Sequence, residues 1–231
     1  MAGSDARMII TIDGPAGTGK SVVAARLAAL LGIACLDTGA MYRCVALCAD
    51  RAGVDADDAK AMKQVLASHH IDFDWEMEPP VVRIDGTPVS HLIRSEQVSA
   101  QASKVARLPV VRQAMVQAQR RIADDCGRLV SEGRDQGSVV FPDAEARFFL
   151  TADAAVRGQR RIDQLRSSGN EVDEDLVRRD IQARDMADST RSEGPLVKPD
   201  GAIEIDTTDR SIDDVVSLIK SHLNQLDHGA C

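Results

Sequence analysis

Between Met8 and Ser21 the chain reads MIITIDGPAGTGKS, and this stretch constrains the fold more than any other. Ile9, Ile10 and Ile12 predict a short buried strand, while Val22, Val23, Leu27, Leu30 and Leu31 predict a helix opening near Lys20. The turn between them has the spacing Gly14-x-x-x-x-Gly19-Lys20-Ser21. A phosphate chain wrapped by backbone N–H groups needs side chains out of the way, and Gly14, Gly17 and Gly19 supply that. Lys20 then brings an ammonium to the β- and γ-phosphates, Ser21 a hydroxyl to Mg²⁺, and the helix its positive end. The segment Gly14, Pro15, Ala16, Gly17, Thr18, Gly19, Lys20 and Ser21 is thus the expected nucleotide-phosphate site, with Ser21 as metal ligand and Lys20 facing solvent.

Around this loop the chain alternates between strands and helices. Strands are predicted at 34–36, 128–131, 147–151 and 203–205, and helices at 40–52, 57–68, 95–107, 109–125, 153–167, 173–191 and 211–226. Five strands in such alternation predict a P-loop NTPase fold of the α/β class, with a parallel five-stranded sheet and helices on both faces. The pattern breaks at 71–89, where two or three strands surround Asp85-Gly86, a pair suited to a tight hairpin turn. The expected division is a core at about 8–68, 109–152 and 195–226 with an inserted β-rich unit at about 69–107.

Composition narrows the function. The 231 residues carry a formal charge of −8, which disfavours nonspecific nucleic-acid or anionic-membrane partners. Aromatics make up only 3%, so the core must be aliphatic and alanine-rich. No targeting or membrane-spanning stretch is visible. Five cysteines without a CxxC pair fit a reducing cytoplasm, and Cys44 and Cys48, one helical turn apart, read as buried small hydrophobes. A cytoplasmic monomer is expected.

Arginines form the second pattern. They occur in Asp37-Thr38-Gly39-Ala40-Met41-Tyr42-Arg43, at Arg112, in Glu132-Gly133-Arg134-Asp135, at Arg157, Arg160 and Arg161, and at Arg184 with Asp188 and Arg191 on one helix face. The planar guanidinium fork suits phosphate. Taken alone, 157–161 is better read as a solvated face paired with Asp153 and Asp163, and 184–191 reads equally as an exposed ion-pair stripe. Glu132–Asp135 follows a strand, where an open α/β sheet places its ligand crevice.

In order along the chain, IDGPAGTGKS, LDTGAMYR, SKVARLPVVR, EGRDQGSVVFPDA, FFLTA, RRIDQL, ARDMADSTR and IDTT resemble the bacterial cytidylate kinases, within the nucleoside monophosphate kinase family. The likeness runs from about Met8 to Leu226, and the β-rich insert belongs to it. It implies transfer of the γ-phosphoryl of ATP to CMP or dCMP with Mg²⁺. It assigns Lys20, Arg134, Arg157, Arg160 and Arg161 to the transferring group, the last three on a helical lid at about 153–172. CMP would be bound by Thr38, Tyr42, Arg43, Ser103, Arg112, Arg134, Asp135, Arg184, Asp188 and Arg191. Of these, Arg43, Arg134 and Arg184 grip the acceptor phosphate, Ser103, Arg112, Asp135 and Arg191 meet the base, and Asp188 lies nearer the ribose. Glu132 departs from the pattern, standing where many relatives carry aspartate. Rival readings are an adenylate- or uridylate-type kinase, a GTPase-like switch and a DNA-associated ATPase. The switch lacks its Asn-Lys-x-Asp run here, and the ATPase lacks a basic stripe.

Overall fold

The computed structural model describes residues 7–77, 79–167, 169 and 171–229. Its main sheet is built from β1 (Met8–Asp13), β2 (Ala34–Asp37), β6 (Arg128–Gly133), β7 (Ala146–Thr151) and β8 (Ile203–Asp206), in the order β2-β6-β1-β7-β8. All pairs are parallel. Because side chains alternate along a strand, register decides which face each residue covers. Ile10 aligns with Val130 and Ala146, while Ile9 aligns with Leu129. The first set belongs to a core shared with α1 (Lys20–Leu31) and α8 (Ile212–Gly229). The second belongs to a larger core with α2 (Thr38–Arg51) and α5 (Pro109–Cys126).

The inserted unit is a three-stranded antiparallel sheet, β3 (Ile71–Asp74), β4 (Val81–Ile84) and β5 (Thr87–Pro88), preceded by α3 (Ala59–Ser68) and followed by α4 (Glu96–Val105). Asp85 and Gly86 both take positive φ, 51° and 75°, as a two-residue hairpin turn requires. Val82, Ile84, Val89, Ile93, Val98 and Ala102 bury into the larger core. The insert therefore packs as part of one face of the molecule. Phe73 and Trp75 stack at 5.1 Å, two of the few aromatic rings available.

Helix ends follow local chemistry. Asp37 caps α2 by accepting from the Ala40 N–H, starting the helix two residues earlier than expected. Asp58 caps α3, Ser95 caps α4, and Ser211 and Asp214 bond reciprocally at the start of α8. Pro109 opens α5, where its missing N–H costs nothing. The last two long helices of the chain's middle are α6 (Ala154–Ser167) and α7 (Glu174–Thr190), which pack together. Residues 168 and 170 of the expected lid lie outside the described residues. No helix among the described residues is long and apolar enough to cross a membrane.

β6 runs to Gly133, two residues past its expected end, and a π-type turn at Gln136–Val140 follows it, which periodicity did not announce. Its cause is Asp13: the carboxylate at the end of β1 accepts from the N–H groups of Gln136 (2.8 Å) and Gly137 (2.7 Å). Ser131 donates to Gln136 from the same strand end.

Candidate functional site

β1 lies between β6 and β7, so the carboxyl ends of three strands converge where the chain enters the loop 14–19. Gly14 has φ +148°, and a Cβ there would run into the Leu150 carbonyl of β7. Gly17, at φ +80°, would place a Cβ 2.9 Å from that of Arg157. These glycines let β7 and α6 close onto the loop, a packing reason beyond the freedom a phosphate turn demands. 

Lys20 is buried, not solvent-facing. Its ammonium donates to the Pro15 carbonyl at 2.6 Å and lies 3.4 Å from the Thr18 hydroxyl. Burial, and then the neighbouring Arg134, hold it well below its ordinary value, against the opposing pull of Glu132 and Asp13. Glu132 is shifted the other way. Burial and then Asp37 raise its carboxyl, while Lys20 and the Ser21 hydroxyl oppose the rise. Ser21 donates to Glu132 at 2.7 Å, and Thr38 donates to the Glu132 backbone carbonyl at 2.8 Å. Gly133 has no room for a side chain, since a Cβ would sit 2.8 Å from the Thr38 hydroxyl.

The donor set suits Mg²⁺. Ser21 and Glu132 offer hard oxygens side by side, and no group of three or more acidic, His or Cys residues that could hold a metal occurs among the described residues. A cation that keeps several waters and takes its remaining ligands from phosphates needs no larger protein cage.

Most arginines around this point face carboxylates. Arg43, in the second turn of α2, reaches back to the N-cap Asp37 at 2.8 Å. Arg134 reaches Asp188 at 2.8 Å, and Arg157 reaches Asp185 at 2.5 Å. Arg184 differs. It is half-buried in a cleft with Ala16, Gly17, Glu96 and Arg161, and among the described residues it has neither a hydrogen-bond acceptor nor a carboxylate at ion-pair distance. Burial and the like charge of Arg161 depress its pKa, the mark of a cation lacking sufficient counter-charge. That leaves Arg184 poised for an anion.

A second cluster gathers around Asp135, just past the end of β6. Arg112 and Asp135 form a direct buried ion pair, Arg191 approaches Asp135 at 3.7 Å and Asp188 at 3.8 Å, and Arg112 lies 3.5 Å from the Tyr42 hydroxyl. Burial pushes the Tyr42 phenol up to about 12, so it stays protonated. Gly194, at φ +56°, closes over the pair, and a Cβ there would collide with both Arg112 and Asp135. Ser103 is not joined to this cluster by a contact; its hydroxyl turns back to the Ser99 carbonyl at 3.4 Å.

The exposed-face reading of 157–161 does not hold. Arg157 is buried and donates to the carbonyls of Ala152 (3.0 Å) and Ala16 (3.1 Å) as well as to Asp185. Arg160 is held by Thr207, at 2.6 Å to its carbonyl and 3.1 Å to its hydroxyl. Arg161 turns to Gln164 at 2.9 Å, and Asp163 takes Gln159 instead of an arginine. Thr207 itself donates to the Thr18 carbonyl at 3.1 Å, tying the last strand to the loop. Asp13, Asp185, Gly194 and Thr207 went unremarked as site residues in the sequence. Asp185 and Thr207 sit inside recognised runs, whereas Gly194 follows one and carried no signal of its own.

The match to known proteins agrees with this geometry. The family profile described as cytidylate kinase covers residues 10–225. A cytidylate kinase from Syntrophotalea carbinolica is 46% identical over 91% of this chain and 89% of its own length. One from Pseudomonas paraeruginosa is 43% identical over 94% and 95% respectively. Among solved structures, an uncharacterized protein from Eubacterium ventriosum shares the fold, with a TM-score of 0.51 at 15% identity over 95% of this chain and 99% of that one.

Proposed function

The chain belongs to the cytidylate kinase family, and from that premise we propose that it transfers the γ-phosphoryl group of ATP to CMP or dCMP, giving ADP and CDP or dCDP. The observation that carries the reading is the pairing of two recognition sites across β6. A phosphate loop with Lys20 lies on one side, and on the other a buried Arg112–Asp135 pair sits with Arg191, Asp188 and Tyr42 around it.

The attacking group is a phosphate oxygen of the acceptor, already anionic, so no strong general base is required. It forms a bond to the γ-phosphorus as the bond to the β–γ bridging oxygen breaks, and catalysis rests on alignment and charge neutralisation. Backbone N–H groups of 14–19 and Lys20 hold ATP, while Arg43, Arg134 and Arg184 hold the acceptor phosphate. Ser21 and Glu132 would hold Mg²⁺, which when bound neutralises charge on the phosphate oxygens. Arg157 and its neighbours Arg160 and Arg161 belong to a lid at about 153–172 that excludes water. The insert at about 69–107 forms the acceptor wall. Thr38 and Tyr42 line the acceptor side.

Cytosine presents an amino donor at N4 and acceptors at N3 and O2. Asp135 accepts from the amino group, and the guanidinium groups of Arg112 and Arg191 serve the two acceptors. Asp188 faces the ribose, and Ser103 meets the base only once its hydroxyl leaves the Ser99 carbonyl. Uracil would set its O4 against a carboxylate and its N3–H against a cation, and each mismatched pair of this kind costs about 1–3 kcal/mol. An ADP-release assay with CMP, dCMP, UMP and AMP tests the reading. CMP and dCMP should exceed UMP in kcat/KM by about ten- to a hundredfold, and comparable use of AMP would overturn it.

A further inference from the structure

One side chain joins three parts of the site. The Arg157 guanidinium shares a terminal N–H group between the Ala16 carbonyl of the phosphate loop (3.1 Å) and Asp185 of α7 (2.5 Å). Its Nε is committed to Ala152 at the end of β7. Because Gly17 has no Cβ, the backbone of α6 lies directly against the loop, and little more than the pose of this side chain sets where its charge falls.

Asp185 depends on that contact. Its second oxygen, Oδ1, is buried with no partner, so releasing Arg157 would leave the whole carboxylate unpaired. Release becomes affordable only when another cation takes its place. Arg134 is near enough to feel Asp185 electrostatically, and Arg184 precedes it on the same helix. Both are acceptor-phosphate residues in the reading above, on which this inference rests. Asp188, one turn on, already grips Arg134.

We propose that Asp185 is a positioning residue that holds Arg157 on the Ala16 carbonyl, away from the γ-phosphate, until the acceptor engages Arg134 and Arg184. Its purpose is to restrain the competing reaction. In that reaction a water oxygen attacks the γ-phosphorus, the bond to the bridging oxygen breaks, and ADP, phosphate and a proton leave. An arginine free to meet the γ-phosphate before CMP arrives would speed transfer to water as readily as to CMP.

The test is ADP release from ATP and Mg²⁺ in the full chain, with and without CMP. Asp185→Asn weakens a charge-assisted bond and Asp185→Ala removes it, so acceptor-free hydrolysis should rise about tenfold. CMP-dependent turnover should not rise in step, so the ratio of hydrolysis to transfer increases. Adding Arg157→Ala to Asp185→Asn should abolish the increase. If neither Asp185 variant folds, Asp185→Ser, which keeps a small hydrogen-bond acceptor but removes the charge, must show the same rise. Unchanged or slower acceptor-free hydrolysis in a folded variant overturns the proposal, as does a rise that survives loss of Arg157. A parent protein that makes no CMP-dependent ADP would refute the kinase reading separately, and the acceptor-free comparison would still decide the role of Asp185.

Discussion

The Ser21 hydroxyl donates to the Glu132 carboxylate across 2.7 Å, joining the last residue of the phosphate-loop motif to the end of β6. The extra methylene of glutamate over aspartate is what spans this gap. Glu132→Asp should therefore fold normally yet need more Mg²⁺ for half-maximal activity. A Mg²⁺ titration of CMP-dependent ADP formation checks this, and an unshifted curve would remove Glu132 from the metal site.

Lys20→Ala should lower turnover by about 10²–10³, as expected for a lost transition-state charge contact. Because the ammonium is buried against Glu132 and Asp13, the variant should also unfold at lower denaturant concentration than the parent. Turnover within tenfold of the parent would exclude Lys20 from phosphoryl transfer, and an unchanged midpoint would exclude it from stabilising the buried acids.

Nucleotide binding should take up protons. Lys20 titrates below its ordinary 10.5, and phosphates set beside it favour the charged ammonium, so its pKa is higher in the complex. Glu132, already raised by burial, is pushed further up by the same phosphates. Affinity for ADP in chelator should then be full below the depressed Lys20 value and fall as pH rises from there toward 10.5. Calorimetry at pH 8 in two buffers of different ionisation enthalpy should show net uptake; net release would contradict the assigned surroundings.

Arg184 and Arg43 differ in what their loss leaves behind. Arg184→Ala strands no carboxylate, so it should leave the melting temperature near the parent's while cutting kcat/KM for CMP by about 10–100-fold. Arg43→Ala strands Asp37 as well, although the helix cap on Ala40 remains. ATP affinity should hold in both, and its loss with unaltered CMP kinetics would place these residues at the wrong end of the site.

Asp135→Asn should narrow the preference for CMP over UMP, because an amide can turn its NH₂ toward O4 of uracil. Gly194→Ala should act from outside the pocket. It forces a side chain at φ +56° and onto the Arg112–Asp135 pair, a strain of about 1–3 kcal/mol, with loss of CMP affinity ahead of ATP affinity. Equal weakening for both nucleotides would mean that Gly194 supports the fold as a whole.

Much of this was legible in residue order. The loop 14–21, the five parallel strands and the Asp85-Gly86 turn are each governed by a few neighbouring residues, and each stands where local chemistry puts it. The burial of Lys20 was not legible, because it depends on β6 and α7 closing over the loop from over a hundred residues away. The π-type turn at 136–140 escaped for the same reason: its cause is Asp13, far upstream. The arginines at 157–161 misled because an i, i+3, i+4 spacing describes an exposed face and one packed against the protein equally well. Only the positions of Ala16, Asp185 and Thr207 separate the two.

The buried apolar residues fall into two cores that share the main sheet, and this division has an evolutionary reach. Helices α1 and α8 pack on one face, whereas the insert, α2, α4 and α5 pack on the other. In the function proposed above, substitutions that reshape Val82, Ile84 or Val98 would remodel the acceptor wall while Leu27, Phe148 and Ile219 keep the phosphate loop in place. A lineage can thus drift toward a new phosphate acceptor by changing one face, with its phosphoryl donor inherited intact on the other.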